Sequence, residues 1–228
     1  MKILVIIPAR KGSKRIPGKN TKELGGKTLI QWTLDTVLKV DGVEKILIST
    51  DDEKILNICK QYGVMAPWLR PRELSSDTAS SVDVCLHALD WFENEHGKVD
   101  SLMLLQPTSP FRTDESIKRG IDLFKSNPEI PVIGFSRTID HPYWCFKKDG
   151  DFLSPMFGLG RLKTRSQDLD PSYTVNGAFY LVGVEHFREK RSFYAEVVNP
   201  LIMNDKESID IDLPRDWSYA ESIIVGEV

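Results

Sequence analysis

The sequence predicts an α/β fold built on a mostly parallel sheet with helices on both faces. Three observations carry that prediction. Short β-branched runs alternate with stretches of helical period, the chain has 228 residues, and 41% of them are hydrophobic. Strand–helix units in series favour a parallel sheet, because each helix returns the chain to the end from which the last strand began. The length suits one large α/β domain, or a domain of roughly 150 residues carrying an insertion. The apolar content is enough for a sizeable core and excludes a disordered chain.

Residues 2–7 form an apolar run of strand length, followed by a loop rich in Gly, Pro and Lys. Leu29, Thr33 and Val37, with Ile30, Leu34 and Leu38, recur at helical spacing. Residues 45–49 are a second β-branched run, and Thr50 or Asp51 is placed to cap the helix carrying Ile55, Leu56 and Ile58. A loop over 68–78 precedes a helix with Cys85, Ala88, Leu89 and Phe92 on one face. Residues 101–105 are the next strand, Thr113 is the N-cap of a helix through Phe124, and 131–136 is a further strand. Residues 137–175 then lose all clear period, as expected of an inserted subdomain or an oligomer contact. Strands return at 178–182 and 208–211, and a closing helix spans 214–223 with Pro214 in its first turn. The whole is a Rossmann-like arrangement of residues 1–228 as a single domain, with 137–175 inserted.

Charge and cysteine usage exclude several classes. Thirty Lys and Arg against 33 Asp and Glu give a net charge of −3, which argues against a surface devoted to nucleic acid. The apolar run at 3–7 is far short of the roughly 20 residues that span a bilayer, so no membrane partner is expected. No signal peptide is read at the N-terminus. Cys59, Cys85 and Cys145 are odd in number and scattered, which suits buried thiols in a reducing compartment. The expectation is a soluble cytoplasmic protein. The four histidines have no metal-site spacing.

The loop after the first strand reads IPARKGSKRIPGKN over residues 7–20. Arg10, Lys11, Lys14, Arg15 and Lys19 place five cations in ten residues, and Gly12 and Gly18 permit close backbone approach. Such a loop at the carboxyl end of a parallel strand suits a polyphosphate; the plainer reading is a solvated basic loop. A P-loop NTPase is excluded, because five residues separate Gly12 from Gly18 and Asn20 follows Lys19 where a hydroxyl would be needed. At the other end, Asp210 and Asp212 stand at i and i+2, so an extended backbone projects both carboxylates from one face. They read either as a Mg²⁺ pair or as an acidic strand edge with Asp212 capping the last helix. Ser80 and Ser81 sit at a loop-to-helix junction, where Ser80 reads best as a cap, and Gln106 reads as a turn residue. Phe193 and Tyr194 read equally well as core. Residues 10–27 carry seven cations against Glu23, whereas 205–227 carry seven acids against Lys206 and Arg215. The two ends are therefore complementary if they meet over the sheet.

The basic loop, together with LRPRELSSDTASS at 69–81, LLQPTSPFRT at 104–113, NGAFYL at 176–181 and SIDID at 208–212, resembles the sugar nucleotidyltransferases, and within them the CMP-sialic acid synthetase (N-acylneuraminate cytidylyltransferase) family. The resemblance spans nearly the whole chain. It implies a fold of the nucleotidyltransferase type with 137–175 as a dimerisation subdomain, and a homodimer with shared sites. The implied reaction joins CTP to a nonulosonic acid, N-acetylneuraminate first, to give pyrophosphate and a CMP-sugar for surface glycans. Legionaminate, pseudaminate or a 3-deoxy-octulosonate is the alternative sugar, and a non-catalytic nucleotide-binding regulator the remote alternative. By the same resemblance Ala9, Arg10, Lys11, Gly12, Ser13, Lys19, Asn20, Arg70, Ser80 and Ser81 bind nucleotide. Gln106, Arg165, Gln167, Tyr180, Phe193 and Tyr194 meet the sugar, Tyr194 reaching in from the partner subunit. Asp210 and Asp212 hold Mg²⁺ or Mn²⁺, and Lys19, Arg10 and Asp212 are catalytic. Octulosonate enzymes carry an acidic metal ligand near Gln106, so Gln106 favours the sialic-acid branch.

Overall fold

A computed structural model describes residues 1–226. The chain runs through β1 (Ile3–Pro8), a small hairpin of β2 (Glu23–Leu24) and β3 (Lys27–Thr28), α1 (Leu29–Val37), β4 (Lys45–Ser49) and α2 (Glu53–Tyr62). It continues through α3 (Ser81–His96), β5 (Ser101–Leu104), α4 (Asp114–Ser126) and β6 (Val132–Arg137). After β6 come the hairpin of β7 (Phe146–Asp149) and β8 (Phe152–Pro155), α5 (Leu159–Leu162) and β9 (Tyr173–Gly183). Last are α6 (Val184–Lys190), β10 (Asn199–Ile202) and α7 (Pro214–Val225).

Six strands form the central sheet in the order β10-β6-β9-β5-β1-β4. β1 pairs in parallel with β4 and β5, and β10 with β6, while β9 runs antiparallel between β5 and β6. The sheet is thus mostly parallel, as the alternating pattern predicts. Period-two geometry divides its side chains. Ile3, Val5 and Ile7 of β1 pack with α1, α2 and α4 on one face. Leu4 and Ile6 pack with α3 and α6 on the other.

A third apolar cluster joins the beginning of the chain to its end. Ile16 of the basic loop and Leu24 pack against Ile209, Ile211, Trp217 and Ala220. The two ends therefore meet, as their charges suggest.

Several local expectations hold. Thr113 accepts from the Ser116 N–H to cap α4, and Ser80 accepts from Asp83 N–H to cap α3. α7 begins at Pro214. Others need correction. The cap of α2 is Asp52, because Thr50 Oγ1 is bonded to the Ala9 carbonyl and Asp51 accepts from Lys11 N–H. Residues 208–211 pair with no strand; Ser208 ends a turn, and the alternation survives only because Ile209 and Ile211 are buried. The edge strand β10 replaces them in the sheet.

Between β6 and β9 the chain leaves the sheet as an arm, closed at its base by Thr138 N–H donating to the Ser172 carbonyl at 2.9 Å. None of residues 138–172 is buried. The arm has no core of its own. Among the described residues, no helix is long and apolar enough to cross a membrane.

Gly120 of α4 lies against the ring of Phe179, where an added Cβ would fall inside contact distance of three ring atoms. Gly120→Ala is expected to destabilise the fold by about 1–3 kcal/mol through overpacking, read as a lower urea midpoint.

Candidate active site

The carboxyl ends of β1 and β5 open into a cleft of about 630 Å³. One wall is the basic loop, and Gly18 at φ 63 supplies the left-handed residue that turns it into the short helical segment at Lys19–Thr21. Asn20 closes the loop by donating from Nδ2 to the Arg10 carbonyl at 2.9 Å. Arg10, Gly12, Ser13, Lys14, Arg15, Lys19 and Asn20 line the cleft. Ala9 and Lys11 do not: Ala9 is buried against β4, and Lys11 reaches Asp51 through its backbone N–H.

The facing walls are carboxylate-rich. Lys19 Nζ donates to the Ile211 carbonyl at 2.7 Å and to Asp212 Oδ1 at 2.8 Å. An ammonium has three donors, so one remains for the cleft. Arg15 meets the other oxygen of Asp212 at 3.2 Å. Across the mouth, Asp77 binds Arg10 at 2.7 Å and Lys14 at 2.6 Å. Four loop cations are thus held by two acids. Sequence reasoning misses Asp77; the loop over 68–78 carries two acids, Glu73 and Asp77, and nothing local says which one faces the cations.

The carboxylates of Asp210 and Asp212 titrate in opposite directions. Burial among the cleft walls pushes Asp210 above the usual carboxylate range; Thr108 and Lys19 counteract, while Asp212 adds to the rise. Asp212 is also raised by burial, but the hydrogen bond and charge of Lys19, with Arg15, outweigh this and hold it below the usual range.

Deeper in the cleft, Arg70 and Ser81 line the wall with Leu74 and Val84. Ser80 lies outside, bound to Asp83 as a helix cap. Gln106 and Asp210 line both this cleft and a second pocket of about 450 Å³, bounded by Ser136, Asn176, Tyr180 and Tyr194. Gly177, at φ 74, lets the strand pass: an added Cβ would lie 3.1 Å from Gln106 Oε1 and 3.8 Å from Asp210 Oδ2. Tyr180 is packed among aromatic neighbours, and burial, with the bond to Tyr194, pushes its hydroxyl pKa up.

Three expected sugar contacts lie outside both pockets of the single chain. Phe193 is 5% exposed and stacks on Phe187 and Tyr180, so it is a core residue. Arg165 and Gln167 belong to the arm, outside both pockets; Arg165 is engaged by Asp168 at 2.8 Å.

A residue missed entirely is Arg112, a guanidinium 2% exposed beneath the site. It donates to the carbonyls of Ala178 and Gln106 and to Thr33 Oγ1, tying β9 to the end of β5. Burial lowers its pKa to about 9. Sequence periodicity does not distinguish such a residue from a surface arginine.

Two carboxylates opening onto a phosphate-sized cleft fit Mg²⁺, which takes one or two protein carboxylates and completes its octahedron with water and phosphate oxygens. Among the described residues no group of three or more candidate ligands gathers. The donor set therefore fits an ion shared with a substrate, not one caged by protein.

Opposite shifts give opposite mutants. A carboxyl with a raised folded pKa favours folding when protonated, and that advantage is lost as pH rises through the folded value. Asp210→Asn is therefore expected to raise the urea midpoint at pH 7 without added metal. Asp212→Asn is expected to lower it, with the wild-type advantage fading as pH falls through the depressed folded pKa of Asp212.

The cytidylyltransferase family profile matches residues 4–149. The chain is 38% identical over 98% of its length, and 97% of the relative's, to the CMP-N,N'-diacetyllegionaminic acid synthase of Legionella pneumophila. It is 33% identical over 96% of its length to the N-acylneuraminate cytidylyltransferase of Streptococcus agalactiae serotype III, of which it spans 52%. Its fold matches a solved CMP:2-keto-3-deoxy-manno-octonic acid synthetase with CTP across the whole of both chains, with a TM-score of 0.71 at 16% identity. A basic loop at the end of β1, two acids brought to it from the far end of the chain, and a match across the loop and the strands that frame it agree: the chain belongs to the cytidylyltransferase family.

Proposed function

We propose that this protein transfers the cytidylyl group of CTP to the anomeric 2-hydroxyl of a nonulosonic acid, forming a CMP-sugar and pyrophosphate. The observation that carries the reading is the junction of two pockets at Gln106 and Asp210, one lined by the loop cations and the other polar and aromatic. In this reading Arg70, Ser81 and Asn20 hold the base, Arg10 and Lys14 take the triphosphate in exchange for Asp77, and Lys19 meets it through its remaining donor while keeping Asp212, beside Arg15. Gln106, Tyr180 and Tyr194 orient the sugar so that its hydroxyl faces the α-phosphorus opposite the departing pyrophosphate. Such a transfer needs positioning and charge neutralisation more than a covalent intermediate. Asp210 and Asp212 are the residues that would hold Mg²⁺ or Mn²⁺, which when bound polarises the phosphate oxygens. Held ionised by two cations, Asp212 is a weak base and acts as an anion.

The motif resemblance puts N-acetylneuraminate first among the sugars. The higher identity to the relative named for diacetyllegionaminic acid puts N,N'-diacetyllegionaminate ahead of it. A homodimer fits the arm, where Ile139, Phe152 and Leu159 are 99%, 79% and 71% exposed with no core beneath them. A second copy that covers them would also bring residues of the arm toward a partner's sugar pocket.

Pyrophosphate release with CTP and Mg²⁺, run against a panel of nonulosonic acids, tests the reading; release with diacetyllegionaminate above the others is expected, and none with any sugar refutes it. Lys19→Ala is expected to cut turnover by about 100-fold or more with secondary structure preserved by circular dichroism. Near-normal turnover would remove Lys19 from the machinery.

A further inference from the structure

Asp51 stands just beyond β4 and belongs to neither the nucleotide-lining set nor the acidic pair. Its carboxylate accepts the backbone N–H of Lys11 at 2.7 Å and lies 3.8 Å from Arg70 Nη2. Next to it, Thr50 donates from Oγ1 to the Ala9 carbonyl at 2.5 Å, and its own carbonyl accepts Arg70 N–H at 2.6 Å. Two adjacent residues at one strand end thus fasten both the basic loop and the segment that carries Arg70.

The Arg70 side chain is 3% exposed, and its Nε and Nη2 have no hydrogen-bond partner. Burial lowers its pKa, and Asp51 is the leading opposing influence. Among the described residues no other carboxylate comes within ion-pair reach of it. At 3.8 Å Asp51 compensates the charge without taking the hydrogen bonds. A buried guanidinium kept charged, fixed in place and lining the cleft is suited to a ligand that offers acceptor atoms. Cytosine presents such atoms, O2 and N3, whereas uracil carries a donor at N3.

We propose that Asp51 is a positioning residue for base selection, coupling Arg70 to the basic loop so that CTP is distinguished from UTP. The inference rests on the reading of the cleft as a CTP site. Asp51→Asn keeps an acceptor for Lys11 N–H and removes only the charge that faces Arg70. Its CTP-to-UTP ratio of kcat/KM is expected to fall about tenfold or more, with KM for the sugar unchanged within about twofold. An unchanged ratio overturns the proposal. Arg70→Gln supplies the second background: adding Asp51→Asn there is expected to leave the ratio as it stands, and a further fall shows that Asp51 does not act through Arg70. That pair also removes the uncompensated buried cation, so the comparison holds if the single Asp51 variant does not fold. Calorimetric affinities for CTP and UTP read the same ratio without turnover. An inactive wild type that still prefers CTP therefore counts against the functional reading alone, and an active wild type with an insensitive Asp51→Asn counts against this inference alone.

Discussion

Lys19 joins the two ends of the chain, and the cleft depends on that junction. Its side chain is 11% exposed, and its ammonium binds both the carbonyl of Ile211 and the carboxylate of Asp212. A loop with five cations in ten residues repels itself, and a compact form requires counter-charge from elsewhere. Asp212 supplies it from 193 residues away because Ile209 and Ile211 are anchored in the third apolar cluster with Ile16. Burial of the isoleucines fixes the backbone, and alternation then turns the two acids, Asp210 and Asp212, toward the cleft. Hydrophobic packing thus sets the electrostatics. A one-residue slip would turn the acids into the apolar cluster and the isoleucines toward the cleft.

The arrangement stores cations in a neutralised state. Asp77 and the Arg10–Lys14 pair are solvated, and exposed ion pairs of that kind contribute little to stability. They are therefore easily exchanged for a polyphosphate, whose several charges and multiple acceptors outcompete a single carboxylate. Lys19 differs. Its confinement makes the Asp212 contact the firmest of the set, and its unused donor lets it meet a phosphate without abandoning that contact. The loop can release one carboxylate at its rim while keeping the other at its base.

Much of this is legible in the sequence because it is written locally. The β1 run, the cations after it, the Thr113 and Ser80 caps and the Pro214 start of α7 each depend on residues a few positions apart. Arg10, Lys19, Arg70, Ser81, Gln106, Tyr180, Tyr194 and the two aspartates all reach the paired pockets. What stays hidden depends on distant partners. Nothing near Arg112 in sequence says that its guanidinium lies under β9, and nothing near Asp77 says that it crosses the cleft. Phe193 misleads because an aromatic pair carries the same signal whether it faces a ligand or the core. Residues 208–211 look like a strand since burial on one side produces the same alternation as sheet pairing does.

The two pockets rest on different foundations. The wall of the larger cleft is fastened at the end of β4, where Thr50 and Asp51 bind main-chain atoms of the basic loop and of Arg70. Main-chain bonds of this kind are indifferent to most side-chain changes around them. The smaller pocket is built instead from Ser136, Thr174, Tyr194 and Ser208, side chains at the end of β6, the start of β9 and two connecting loops. Substitutions there alter shape and hydrogen bonding without touching the strands that carry the cleft. Hydrogen-bonding sites reject a ligand that leaves their buried groups unpaired, so a few such side chains are enough to change which ligand a pocket accepts. The larger cleft is thus fastened largely through main-chain atoms, whereas the smaller pocket takes its shape from side chains.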